Sequence, residues 1–166
     1  FTAQRAAVRG IALKDRLIAQ LPAIAPWASR VPWLFNLRDR LPGAAALSQR
    51  WLGLSARRSL PRWRRDTFRS LAPTLALASR EEALAADKAV VLFVDTFNGN
   101  FETEIASDAV RVLQAAGYAV HVATRSDGGA LCCGRTLLAA GMAGAAKEKA
   151  RELLNAFTPF VDAGIA

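Results

Sequence analysis

The order of apolar segments in the second half of this 166-residue chain limits its fold more than any other feature. A near-continuous apolar run from Ala89 to Val94 is typical of a buried parallel strand, and Tyr118 to Ala123 predict a second strand. Helical spacing is carried by Ile105, Ala109, Val112, Leu113 and Ala116, and later by Leu137, Leu138, Met142, Ala146, Leu153 and Leu154. The alternation predicts an α/β fold, a β-α-β-α unit with a parallel sheet whose strand-to-helix loops share one edge.

Charge divides the chain into two parts. Residues 1–80 hold 15 Lys and Arg against 3 Asp and Glu, whereas residues 81–166 hold 7 against 11, which gives net charges of +12 and −4. All four tryptophans also lie in the first part. We therefore expect a basic, helical, Arg/Trp-rich arm or linker over residues 1–87, followed by a partial α/β domain over residues 88–166.

The arm consists of short apolar stripes separated by proline. The stripes predict helices from Leu13 to a stop at Pro22, from Pro32 to Leu41, and around Leu47 to Leu54, while Pro61 predicts an extended segment over residues 55–65. Three functions remain open for such an arm: docking on the rest of a parent protein, lying on an anionic membrane surface, or binding nucleic acid. Nucleic acid is disfavoured because no recognised nucleic-acid-binding motif accompanies the charge.

The ends of the sequence suggest a piece of a longer polypeptide. The chain begins at Phe1 without an initiator Met, and an apolar run begins near Ile165. Because it lacks an even set of spaced cysteines, the default compartment is the reducing cytoplasm, with a peripheral position at the inner face of the membrane as the alternative.

Two adjacent cysteines, Cys132 and Cys133, precede Gly134 and Arg135 in a turn between the second strand and the next helix. In a Gly-flanked turn both sulfurs can reach one point, and helix N–H groups with Arg135 would favour thiolate, so these cysteines are candidate metal ligands. Two cysteines are too few for an iron–sulfur cluster or a closed zinc site, each of which takes about four protein ligands. The alternative is that both are small buried apolar residues.

Other polar residues near the predicted ligand edge have structural explanations. Asp95 and Asp127 could be acids, but a lone carboxylate at the end of a strand or the start of a helix is typically a cap. His121 lies within a strand, which favours a packed side chain over a ligand. The parallel topology predicts that residues 95–98 lie beside the two cysteines.

Three segments, residues 91–102, 113–120 and 132–135, together resemble the cysteine-rich CCG domain. That domain occurs in heterodisulfide reductase subunits, the glycolate oxidase iron–sulfur subunit and fused FAD-linked D-2-hydroxyacid dehydrogenases. The arm also resembles the segment that joins a ferredoxin-like region to the first CCG domain of the fused enzymes.

The resemblance implies part of the iron–sulfur electron-transfer region of a flavin-dependent oxidoreductase that acts on D-lactate, glycolate or D-2-hydroxyglutarate. It implies FAD and a 4Fe-4S cluster in the parent, FAD-binding and ferredoxin-like domains as partners, and a quinone or other carrier as acceptor. It assigns Cys132, Cys133 and Gly134 to cofactor binding, Cys132 and Cys133 to the metal, and no catalytic residue to this chain.

The sequence departs from the family pattern in one place. Thr96 stands where the first cysteine is expected, and the later Cys-x-x-Cys would lie beyond Ala166. This chain alone is therefore expected to bind no cluster and to be inactive. The alternative from another class is a non-catalytic interaction module, with a structural CCG turn and an arm that docks on a membrane surface or a partner protein.

Overall fold

The computed structural model describes residues 2–165 and divides into two compact units. The helical unit contains residues 2–65 and 134–146, and the sheet unit contains residues 66–133 and 147–165. The helical unit carries 14 Lys and Arg against 2 Asp and Glu, and the sheet unit 8 against 12, so their net charges are +12 and −4. The division at residue 87 remains a prediction, because compactness does not establish which segments fold independently.

The helical unit is built from short helices. They are α1 (Thr2–Arg9), α2 (Leu13–Ala19), α3 (Leu21–Ala28), α4 (Pro32–Arg40), α5 (Ala44–Leu52) and α10 (Arg135–Ala139), with the first residues of α11 (Ala143–Asp162). Pro32 begins α4, as predicted, because the missing proline N–H is not needed in the first helical turn. Pro22 does not end a helix as expected but lies in the first turn of α3, for the same reason.

The core of the helical unit is small and rich in alanine. Ala19 of α2, Leu137 of α10 and Ala146 of α11 form a buried cluster. The Thr136 hydroxyl donates a hydrogen bond to the carbonyl of Ala19 at 3.3 Å. Small side chains let these short helices approach closely, but they bury little apolar area.

Residues 55–63, here called the strap, lie on α4 and α5 of the same unit. The Asn36 side chain accepts from the Trp63 N–H at 2.9 Å and donates to the Trp63 carbonyl at 2.8 Å. Asp39 accepts from the Leu60 N–H at 2.9 Å, and Arg38 donates to the Ser55 carbonyl at 2.6 Å. The strap contains no helix, as Pro61 predicts, but it is not extended throughout, because residues 56–57 form a turn and residue 58 a bend. It is held by side chains of its own unit.

The sheet unit contains two parallel strands and several helices. The elements are α6 (Phe68–Leu71), a 3-10 turn (Ala72–Thr74), α7 (Arg80–Ala85), β1 (Ala89–Leu92), α8 (Thr96–Asn100), α9 (Thr103–Ala115), β2 (Ala119–Val122) and most of α11. The strands pair in parallel from Ala89 opposite Ala119 to Leu92 opposite Val122. The described chain is therefore predominantly helical with a small parallel sheet, which is compatible with the predicted α/β class.

Alternate residues of the strands enter apolar clusters on opposite faces of the sheet, as the period of two requires. Val90, Leu92 and Val120 contact a cluster that includes Phe68 of α6 and Val110 of α9. Val91 and Ala123 belong to a second cluster, with Ala83 of α7, Leu131 and Phe160 of α11. Burial on both faces explains why β1 reads as a continuous apolar run.

Two predicted elements differ from the structure. The helix expected to run from Leu137 to Leu154 is broken into α10 and α11, because Gly141 adopts φ +84° and interrupts the helical backbone. The loop expected between β1 and the next helix contains the short helix α8, which begins at Thr96. Within residues 2–165, no helix is both long enough and apolar enough to cross a bilayer.

Candidate functional site

The segment that leads to the two cysteines begins with a tight loop after β2. Thr124 and Ala130 form an isolated antiparallel bridge, and the Arg125 N–H donates to the Gly129 carbonyl at 2.9 Å. Asp127 accepts from the Gly129 N–H at 2.9 Å and pairs with the Arg125 guanidinium at 2.9 Å. Asp127 is therefore a loop-ordering residue in this structure, in agreement with its structural interpretation from sequence.

Burial falls steeply along the cysteine segment of the sheet unit. Leu131 is buried in the cluster that contains Val91 and Ala123, so the chain immediately before the cysteines lies against the sheet. Cys132 is half-buried and Cys133 is exposed, and the two are not joined by a disulfide. Cys133 is thus exposed to solvent, which differs from the burial expected of a cysteine used only for core packing.

Gly134, which belongs to the helical unit, has a clear structural role. It adopts φ +77° and is the residue before α10. A Cβ atom at this position would lie 2.7 Å from the Ala146 carbonyl oxygen. Both observations require glycine. A side chain would clash with the backbone of Ala146, and the left-handed conformation is strained for other residues.

The polar residues that follow β1 are used to begin a helix. Asp95 is the N-cap of α8, and one of its oxygens accepts from the N–H groups of Phe97 and Asn98 at 2.8 Å each. Thr96, where the resemblance to the CCG domain predicts a cysteine, is the first residue of that helix. The carboxylate is therefore engaged in capping, as its position in the sequence indicates.

His121 is packed rather than presented to a loop. Its Nδ1 lies 2.9 Å from the Ala78 carbonyl oxygen, and its ring lies 5.1 Å from the Phe160 ring, centroid to centroid. The side chain has a hydrogen-bond partner and an aromatic neighbour within the sheet unit. This arrangement agrees with the expectation that His121 is a packed side chain.

Cys132 and Cys133 are predicted metal ligands, and the positions of the other His, Cys, Asp and Glu side chains bear on that prediction. Among residues 2–165, no group of three or more His, Cys, Asp and Glu side chains is placed where it could hold a metal ion. Cys132 and Cys133 offer two thiols, half of the roughly four ligands that a 4Fe-4S cluster takes. The metal-ligand role of Cys132 and Cys133, and the predicted proximity of residues 95–98 to the cysteines, both remain predictions.

The helical unit carries an open surface depression that the sequence did not predict. A surface depression of about 420 Å³ is lined by Asn36, Asp39, Arg40, Ser59, Leu60 and Arg62. Among the described residues, no hydrogen bond or ion pair holds the guanidinium of Arg40 or Arg62. No local pattern signals this depression, because it forms only when the strap meets α4.

Comparison with known proteins finds no match: no protein-family model, no curated protein and no solved structure is similar to this chain.

Proposed function

We propose that this chain is part of the iron–sulfur electron-transfer section of a flavin-dependent 2-hydroxyacid dehydrogenase, of the D-lactate, glycolate or D-2-hydroxyglutarate type. The observation that carries the proposal is the exposed Cys133 next to the half-buried Cys132, on a segment anchored to the parallel sheet by Leu131. Adjacent thiols at the end of a segment fixed by a buried neighbour are suited to metal ligation, since their backbone is already positioned.

The proposal assigns limited roles to this chain. When bound in the parent protein, the cluster would carry single electrons from the flavin to a quinone or another carrier. Cys132 and Cys133 would provide two ligands, and the remaining ligands and the FAD site would belong to other parts of the parent. The parent would be a cytoplasmic enzyme, and this segment alone would not catalyse the reaction.

The CCG-type identity of the β-α-β-α elements is part of the same proposal. The parallel pairing of β1 and β2 and the glycine that follows the cysteines support it. In this interpretation Leu131 packs against the sheet, and this packing positions the backbone at the start of the cysteine pair. The arm predicted over residues 1–87 then corresponds to the segment that links the ferredoxin-like region to the CCG domain.

The second candidate is a non-catalytic interaction module with a structural CCG turn. The close approach of Gly134 to Ala146 favours it, because this contact explains the glycine without any cofactor. The two candidates make different statements about the thiols. In the first candidate the thiols take part in electron transfer. In the second they affect activity only through the stability of the folded protein.

Separate measurement of the two half-reactions in the full-length parent distinguishes these candidates. We expect Cys132→Ser and Cys133→Ser to leave flavin reduction by the hydroxyacid intact and to slow reduction of the acceptor, because flavin chemistry takes place in another domain. Stopped-flow flavin absorbance and steady-state acceptor reduction are compared at equal concentrations of folded protein. Equal losses in both half-reactions would support the structural module and reject the electron-transfer role.

A further inference from the structure

A depression on the surface of the helical unit contains side-chain donors that the fold leaves unpaired. It forms where the strap meets α4, and its volume of about 420 Å³ lies within the range of roughly 300–1,000 Å³ that is usual for small-molecule sites. The guanidinium groups of Arg40 and Arg62 and the hydroxyl of Ser59 line it without a hydrogen-bond or ion-pair partner among residues 2–165. These donors are available to a ligand.

The carboxylate in the lining, that of Asp39, does not cancel the positive charge of the two arginines. One of its oxygens pairs with Arg38, and the other accepts from the Leu60 N–H at 2.9 Å. The Asp39 charge is therefore balanced by a residue outside the lining, since Arg38 does not line the depression. Arg40 and Arg62 give the depression two positive charges that no described residue neutralises.

The backbone on which these donors stand is held in place by the hydrogen bonds between the strap and α4. Arg40 is the last residue of α4, and Arg62 lies in the strap between Leu60 and Trp63. The N–H groups of Leu60 and Trp63 each donate to a side chain of α4 at 2.9 Å. A ligand would therefore have to order the arginine side chains but not their backbone, which lowers the entropic cost of binding.

We propose that this depression binds the phosphate group of a small phosphate monoester, with Arg40 and Arg62 as charged donors and Ser59 as a neutral donor. Guanidinium groups bind phosphate oxygens through paired hydrogen bonds. A phosphate monoester carries a charge of about −1.5 to −2 at pH 7 and three acceptor oxygens, which match two cations and a hydroxyl. A carboxylate offers only one charge and two oxygens. This inference concerns only the helical unit and stands independently of the redox proposal.

An NMR titration of the ¹⁵N-labelled 166-residue chain with methyl phosphate, at constant ionic strength, tests the proposal. The Nε–H resonances of Arg40 and Arg62 should shift along one common saturation curve, and binding should tighten as pH rises through about 6, where the monoester gains its second charge. Arg40→Gln and Arg62→Gln should each weaken binding about tenfold, because each removes a charge-assisted hydrogen bond. Ser59→Ala should weaken it about fivefold through the loss of a neutral donor.

The matched control is Arg57→Gln, which removes the same charge from the strap at an exposed position that does not line the depression. It should leave the affinity for methyl phosphate unchanged, and circular dichroism shows that each variant is folded. Equal weakening by Arg57→Gln and Arg62→Gln would assign the binding to the net charge of the unit and overturn the proposal. Equal affinity for acetate, or binding of a single-stranded oligonucleotide without binding of methyl phosphate, would also overturn it.

Discussion

Gly134 occupies a position where a side chain has no room. Because its φ is +77° and a Cβ would lie 2.7 Å from the Ala146 carbonyl oxygen, Gly134→Ala should destabilise the helical unit by at least about 1–3 kcal/mol. Chemical denaturation followed by Trp fluorescence measures this loss, since all four tryptophans lie in that unit.

Gly144 is the matched control for this substitution. It is a glycine of α11 with normal backbone geometry and open space where a Cβ would be. Gly144→Ala should be neutral or stabilising by about 0.5 kcal/mol, because alanine restricts the unfolded chain. Similar effects of both substitutions would show that Gly134 has no special packing role.

At the level of elements, the strap depends on a few side chains of α4. Asn36→Ala removes both hydrogen bonds to the Trp63 backbone and should cost about 1–2 kcal/mol. The freed strap should then be cleaved faster by trypsin after Arg57, Arg58 and Arg62. Asn155→Ala, an exposed position on α11, serves as the control. An unchanged cleavage rate in Asn36→Ala would contradict the strap geometry.

The helix α7 begins with a capping box that responds to pH. The Ser79 N–H donates to the Glu82 carboxylate at 2.7 Å, and the Ser79 hydroxyl accepts from the Glu82 N–H at 3.1 Å. The backbone hydrogen bond, followed by the side-chain hydrogen bond, lowers the pKa of Glu82 from its usual 4.5. A lowered pKa means that this stabilisation is fully present above pH 4.5 and is lost as pH falls through the folded-state value.

Ser79→Ala removes one of the two interactions that hold the charged form of Glu82. The pKa of Glu82, measured by NMR titration, should therefore rise toward 4.5 in the variant. Identical titration curves in the wild type and the variant would contradict the capping box.

At the level of the whole molecule, local patterns in the sequence predict some elements and miss others. The strands β1 and β2 follow from short apolar runs, and the cap at Asp95 follows from its position after a strand. The break at Gly141 does not follow from the sequence. The apolar residues Leu137, Met142 and Ala146 are spaced as they would be in one continuous helix. In the structure, a Cβ at Gly141 would lie 2.8 Å from the Thr2 carbonyl oxygen, a contact made by a distant part of the chain.

Local sequence patterns likewise predict only part of the candidate sites. The half-buried and exposed cysteines lie between β2 and α10, as the sequence predicts from the neighbouring strand and the glycine. The turn of this connection lies earlier, at residues 126–127. The strap and its depression join Asn36 to Trp63, which are 27 residues apart, and no periodicity links these positions. Long-range hydrogen bonds of this kind become visible only in the folded chain.

The central claim is that Cys132 and Cys133 are two ligands of an iron–sulfur centre whose other ligands lie elsewhere in a parent protein. Iron and acid-labile sulfide, counted after anaerobic reconstitution, test it most directly. The full-length parent should lose about one cluster, roughly four iron atoms, on Cys132→Ser or Cys133→Ser, while the 166-residue chain alone should hold no stoichiometric cluster. Full iron content in both parent variants, or a stable stoichiometric cluster in the isolated chain, would contradict the claim.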